Sequence, residues 1–127
     1  MNSTVINKIT ALKTASLSKK QKLSLKYDTV IISLIKTLYK EGVVSAFYKS
    51  KNNSVITVFL KYSTEGSGLL DSLKIISKPS FSKPLNYLEM CDILEKTKIL
   101  IFSTKFGILN LSDCKKKKIG GQLFFII

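Results

Sequence analysis

The chain has no histidine, no arginine and no tryptophan in 127 residues, and only two cysteines, two prolines and eight acidic side chains. Each scarcity excludes something. Without histidine there is no ordinary general base, no histidine zinc ligand and no Cys-His nucleophile pair. Cys91 and Cys114 allow one disulfide at most, and they are expected instead as two buried small hydrophobes in a reducing compartment. No apolar run reaches the roughly 18 residues that span a bilayer. The longest, around Val30 to Ile35, is interrupted by Lys36. A membrane is therefore not among the expected partners.

Lysine fills the space the other residues leave. All 21 basic side chains are lysine, and the formal net charge is +13. Solubility needs a charge of magnitude no more than about 8 in a small domain, so a polyanionic partner is expected. Nucleic acid is the default, because each phosphate neutralised by a lysine releases condensed counterions whatever the base sequence. A lysine ammonium lacks the planar fork with which arginine grips phosphate or guanine twice, so specificity has to come from backbone, hydroxyls and shape. The same bias, with abundant Ile, Asn, Phe and Tyr, implies a coding sequence rich in adenine and thymine.

A hydrophobic content of 45% supports one folded domain or two small modules that share their packing. Met1 to Ala15 carries helix-spaced Val5, Ile6, Ile9 and Leu12 with Lys8 and Lys13, and no acid precedes Asp28. This reads as an opening helix of the fold, not as a transit peptide, which would favour arginine. From the N-cap Asp28, Val30, Ile31, Leu34, Ile35 and Leu38 mark one face of a second helix, ending at Glu41 with Gly42 as its stop. Val43 to Lys49 and Val55 to Tyr62 flank the turn at Lys51, Asn52 and Asn53 and predict a hairpin. Ser63 to Gly68 reads as a loop and a module boundary.

Beyond it, Leu73 to Lys78 predicts a strand stopped by Pro79, and Pro84 closes an extended segment. Asn86 with Glu89 resembles a capping box for a short helix whose buried face would be Leu88, Cys91, Leu94 and Ile93. The remainder reads as strand and turn: Ile99 to Phe102, a turn at Gly107, then Ile108 with Leu109, Ser112 capping at most one helical turn, and Leu123 to Ile127. The expected fold is α+β, with an N-terminal αβαββ module over residues 1–66 and a C-terminal β-rich module over 67–127.

The segment from Ile99 to Leu109 places Ser103, Thr104 and Lys105 on a turn between apolar strands. Such a turn holds short donors and acceptors on a rigid base, and Gly107 lets the backbone approach a ligand. On these residues alone a purely structural turn and a binding turn both stand. The spacing of Ser103, Thr104, Gly107, Ile108, Leu109, Cys114 and Lys115, however, resembles the signature of the small-subunit ribosomal protein S-eight family. The paired Gly120 and Gly121 before the last apolar strand match it as well. So do the stretch from Leu38 to Gly42 with the strand to Phe47, and Leu60-Lys61-Tyr62 followed by Ser77-Lys78-Pro79. The resemblance covers about residues 25–127. It departs from the family at Lys105, where serine is usual, at Phe106, often lysine, at Ser80 after Pro79, where glycine is usual, and at Gln122, commonly acidic.

This resemblance implies a non-catalytic structural constituent of the small ribosomal subunit that binds and organises the central domain of small-subunit ribosomal RNA during assembly. It implies neighbouring small-subunit ribosomal proteins as further partners, and no metal, cofactor or small-molecule substrate. The RNA-binding residues it implies are Ser77, Lys78, Ser103, Thr104, Lys105, Phe106, Gly107, Lys115, Lys116, Gly120 and Gly121. Ser103 and Thr104 would meet sugar or base edges, Gly107 would hold the turn, and Lys78 would meet phosphate. Such recognition by hydroxyl and shape suits RNA, whose deep major groove excludes side chains. Phe106 is expected to stack on a base, whereas Tyr48, Tyr62 and Tyr87 are expected in the core or on a sheet face.

Two other readings differ in class. A generic basic nucleic-acid-binding module unrelated to the ribosome explains the charge but not the ordered motifs. An enzyme would need Asp92 with Glu95, or Asp113, to carry acid-base chemistry without histidine, a metal cluster or a glycine-rich phosphate loop. The residue bias places the protein in a mitochondrial ribosome, with a plastid or an AT-rich bacterium as alternatives.

Overall fold

A computed structural model describes residues 3–52, 54–75, 85–91 and 99–127. The chain divides into two compact units, Met1–Leu73 and Lys74–Ile127. Helices and two antiparallel sheets give the α+β class that the sequence predicts.

The first unit runs α1 (Ser3–Leu17), β1 (Lys22–Lys26), α2 (Thr29–Lys40), β2 (Val44–Lys49) and β3 (Val55–Leu60), the expected αβαββ order. Its sheet has the order β1-β3-β2. Val5, Ile9, Leu12 and Ala15 form the buried stripe of α1, at the three- and four-residue spacing of one helix face. In α2 the Asp28 carboxylate accepts the Val30 N–H at 3.1 Å, as an N-cap does. The buried face is Ile31, Ile32, Leu34, Ile35 and Leu38, while Val30 beside the cap is exposed, a correction to the expected face. Gly42 takes φ 78°. There its N–H reaches Tyr39 O and that of Val43 reaches Leu38 O, two bonds that satisfy the orphaned last carbonyls and seat buried Val43 on buried Leu38.

The loop from Ser63 to Gly68 lies inside this unit. The one-turn 3-10 helix that follows, Leu69–Ser72, is fastened to the end of α1 through Asp71. Ser16 Oγ donates to Asp71 at 2.6 Å, the Gly68 N–H at 3.1 Å, and Lys19 Nζ pairs with it at 3.5 Å. The Ser16 and Gly68 donors hold the Asp71 carboxyl below its usual range against the opposing cost of desolvation, and Lys19 adds to the lowering.

The second unit runs β4 (Lys74–Ile75), α3 (Tyr87–Cys91), β5 (Leu100–Thr104), β6 (Gly107–Asn110), α4 (Leu111–Lys117) and β7 (Gln122–Ile126), with sheet order β4-β7-β5-β6. Its core gathers Met90, Phe102, Leu111 and Cys114, lined by Leu85, Leu100, Leu109 and Leu123. The capping box holds: the Glu89 N–H donates to Asn86 Oδ1 at 2.8 Å and the Asn86 N–H reaches Glu89 Oε1 at 3.4 Å. The buried side of α3 is nevertheless Met90. Leu88 is 73% exposed and Cys91 is exposed, so only Cys114 behaves as a buried cysteine. A helix this short turns only one or two side chains inward, and the cap at Asn86 sets which. Ile93 and Leu94 lie outside the described residues.

A second correction concerns α4. It spans seven residues, capped by the Asn110 side chain, which accepts the Asp113 N–H at 2.8 Å. Asn110, not Ser112, is therefore the cap, and burial of Leu111 and Cys114 sustains the helix beyond one turn.

Candidate functional site

Between β5 and β6 the chain reverses over Lys105 and Phe106, with Thr104 paired to Gly107. Gly107 adopts φ 111°, a backbone setting that disfavours any side chain. The Thr104 hydroxyl donates to the Gly107 carbonyl oxygen at 2.8 Å and accepts the Phe106 N–H at 3.1 Å. Thr104 thus braces the turn through one donated and one accepted hydrogen bond, and it also lines the concavity beside the turn. Ser103, half-buried beside it, has no hydrogen-bond partner for its hydroxyl among the described residues and remains available.

The paired glycines bring the segment before β7 against this turn. Leu85 and Gly121 exchange backbone hydrogen bonds at 2.8 and 2.9 Å. A Cβ on Gly120 would lie 2.2 Å from Leu85 O, and one on Gly121 would lie 2.7 Å from Thr104 Cγ2 and 2.8 Å from Ser103 O. No side chain fits at either place without the backbone moving, since real Cβ atoms do not come so near. The result is a surface concavity of about 540 Å³ whose lining includes Ser103, Thr104, Lys105, Lys118, Gly120 and Gly121. Five of the residues singled out from sequence therefore meet in one place.

Lysines surround the opening because of how α4 ends. Lys115, Lys116 and Lys117 occupy its last turn, where cations suit the negative end of the helix dipole by about 0.3–1 kcal/mol. Lys118 then takes the left-handed conformation, φ 56°. Its N–H reaches Lys115 O at 3.2 Å and the Ile119 N–H reaches Cys114 O at 3.1 Å, the pattern that glycine closes after α2. A non-glycine residue there costs about 1 kcal/mol, and this one sets a second ammonium, beside that of Lys105, on the lining of the concavity. Phe106 stands 59% exposed at the tip of the turn, with Lys105 Nζ 5.3 Å and Lys117 Nζ 5.7 Å from its ring centre.

Gly107, Phe106, Lys115 and Lys116 lie on the turn and helix next to the concavity, not in its lining. Ser77 and Lys78, and Asp92 and Glu95 of the enzyme reading, fall outside the described residues. Lys117 and Lys118 belong to the lysine run from Lys115 that the sequence offers as a phosphate contact, and Gln122 stands where the family pattern is commonly acidic. What the sequence does not show is that a helix end, capped at Asn110, sets Lys118 on the lining. Among the described residues no group of three acids, cysteines or histidines gathers as for a metal, and no helix is long and apolar enough to cross a membrane.

Residues 3–127 match the family model described as Ribosomal protein S8. The chain is 30% identical to the Small ribosomal subunit protein uS8c of Marchantia polymorpha over 125 residues, which cover 96% of this chain and 95% of that protein. It is 29% identical to the uS8c protein of Anthoceros angustus at the same coverage, and 26% identical to the uS8 protein of Lactobacillus helveticus over 97% of this chain and 95% of that one. The match includes α1, which lies outside the stretch whose motifs resemble the family. With a basic concavity formed where the family signature falls and similarity along nearly the whole length, the chain belongs to the ribosomal protein S8 family.

Proposed function

We propose that this protein binds and organises the central domain of small-subunit ribosomal RNA during assembly of the small subunit, and that the concavity of the second unit is the contact. The family is one of structural, non-enzymatic constituents of the small ribosomal subunit. The observation that carries the proposal is the meeting of Ser103, Lys105, Lys118, Gly120 and Gly121 in one lining. It joins a free hydroxyl, bare glycine backbone and two ammonium groups around a space that a sugar edge or an unpaired base can enter.

In this reading Ser103 and the Gly120 backbone supply the specific hydrogen bonds, since the Gly121 backbone groups are already bonded to Leu85. Lys105, Lys115, Lys116 and Lys118 supply phosphate charge, and Phe106 a stacking surface at the rim. Thr104 and Gly107 shape the turn. Ser77 and Lys78 stay part of the proposal as residues for the same RNA. Neighbouring small-subunit ribosomal proteins are the other proposed partners.

A mitochondrial ribosome is the proposed setting. Supporting it is the all-lysine basic complement of an AT-rich gene; a plastid or an AT-rich bacterium would share that bias. Hydroxyl-radical footprinting of full-length small-subunit ribosomal RNA tests the partner. Protection confined to one central-domain helix is the expected outcome, and protection scattered over all domains would contradict it.

A further inference from the structure

The open face of the first sheet holds residues that the concavity leaves unused. Strand register sets Ser24, Thr57 and Tyr48 in one row across β1, β3 and β2, and Lys22, Phe59 and Ala46 in a neighbouring row, with Lys26 opposite Val55 beyond them. Successive side chains alternate between the faces of a strand. Leu25, Ile56 and Val58, from the intervening positions, are buried with the helices, so these eight share the opposite face. None of them is acidic. Lys22, Ser24 and Lys26 are exposed along the outer strand β1, and Tyr48 is 52% exposed. Its ring lies 5.8 Å from that of Phe59 with 36° between the planes.

We propose that this face is a second RNA-binding site, separate from the concavity, that takes an unpaired RNA segment. One base stacks on Tyr48 with Phe59 behind it, Lys22 and Lys26 hold successive phosphates along β1, and the Ser24 and Thr57 hydroxyls face the ribose 2′-hydroxyls. The chemistry selects the occupant. An aromatic pair offers a stacking surface that only an unstacked base can use, and a lysine edge without acids offers charge that a polyphosphate backbone uses. A duplex keeps its bases stacked within itself. A protein partner would need carboxylates spaced along β1 to meet the two ammonium groups, whereas an RNA backbone offers a charge at every nucleotide.

The proposal shares with the preceding one only the idea that the partner is RNA. The test titrates the full chain with a short single-stranded RNA carrying a central 2-aminopurine, and in parallel with the central-domain hairpin. Binding should quench the fluorescence. Tyr48→Ala should weaken the single strand about tenfold and abolish quenching, with hairpin affinity unchanged, while Tyr48→Phe should bind as the parent does. Changing Lys22 and Lys26 together to glutamine should lower the salt slope for the single strand by about 1.4. Ser103→Ala should spare single-strand binding, so a failure of the concavity would show on the hairpin alone. Unchanged single-strand binding by Tyr48→Ala would overturn the proposal. So would a photo-crosslinker at position 48 that labels protein and not RNA in assembled small subunits.

Discussion

The Thr104 hydroxyl is bonded to the Gly107 carbonyl oxygen at 2.8 Å, within the turn whose neighbouring Ser103 leaves its own hydroxyl without a partner among the described residues. Two adjacent hydroxyls thus divide into one that braces the turn and one that the proposed function uses for RNA. Thr104→Val should cost about 1 kcal/mol of stability, the usual net worth of such a hydrogen bond. Ser103→Ala should leave stability within about 0.5 kcal/mol and lower RNA affinity. Thermal melting and RNA titration of both variants check the division.

Gly120→Ala and Gly121→Ala should each destabilise the protein by about 1–3 kcal/mol, as overpacking does. The obstacles are backbone and neighbouring strand, Leu85 O for the first and Ser103 O for the second. Denaturant melts should show the loss without RNA present, and Gly121→Ala should deform the concavity as well because it pushes on Ser103.

Lys118 should behave in the opposite way. Relief of its left-handed backbone, φ 56°, makes Lys118→Gly more stable by about 1 kcal/mol. The same change removes one ammonium from the lining, so the salt slope of RNA binding should fall by about 0.9. A variant that gains stability while losing affinity would mark Lys118 as placed there for its charge.

Much of the fold could be read directly because its signals are local. Asp28 and Gly42 bracket α2 through hydrogen bonds that involve only nearby residues, and alternation along Val55 to Leu60 fixes β3. What stayed hidden depended on distant partners. The seven-residue α4 is too short to show a period, and a helix of that length stands only because Leu111 and Cys114 bury in the core. For the same reason the inward residue of α3 is Met90 and not Leu88. The motif identified Gly120 and Gly121 as site residues, but the reason, the closeness of Leu85 O and Ser103 O, exists only once the strands are assembled. Thr104 is the instructive case: its residue type gives no sign that its hydroxyl braces the turn by bonding Gly107, which only the folded hairpin shows.

Cys114 gives a test of the core in alkali. Burial, reinforced by the Asp113 charge, pushes its thiol up to about 11, whereas a thiol in an unfolded chain ionises near about 8.5. The folded protein keeps the proton where the unfolded chain loses it. This contribution is therefore whole below the unfolded value and is lost as pH rises through the folded one, about 3 kcal/mol in all. Cys114→Ala should flatten that part of the stability profile between about pH 8.5 and 11. In the parent, thiol reagents should label exposed Cys91 well before Cys114.

The most direct measurement is the affinity of the purified protein for a short hairpin from the central domain of small-subunit ribosomal RNA against a scrambled hairpin, at several salt concentrations, with and without Ser103→Ala. A preference of at least about tenfold for the cognate hairpin, or 1.4 kcal/mol, is expected, and Ser103→Ala should erase it while leaving the salt slope intact. Equal affinity for both hairpins with the same steep salt slope would contradict the specific site and leave the lysine charge as the whole of the binding.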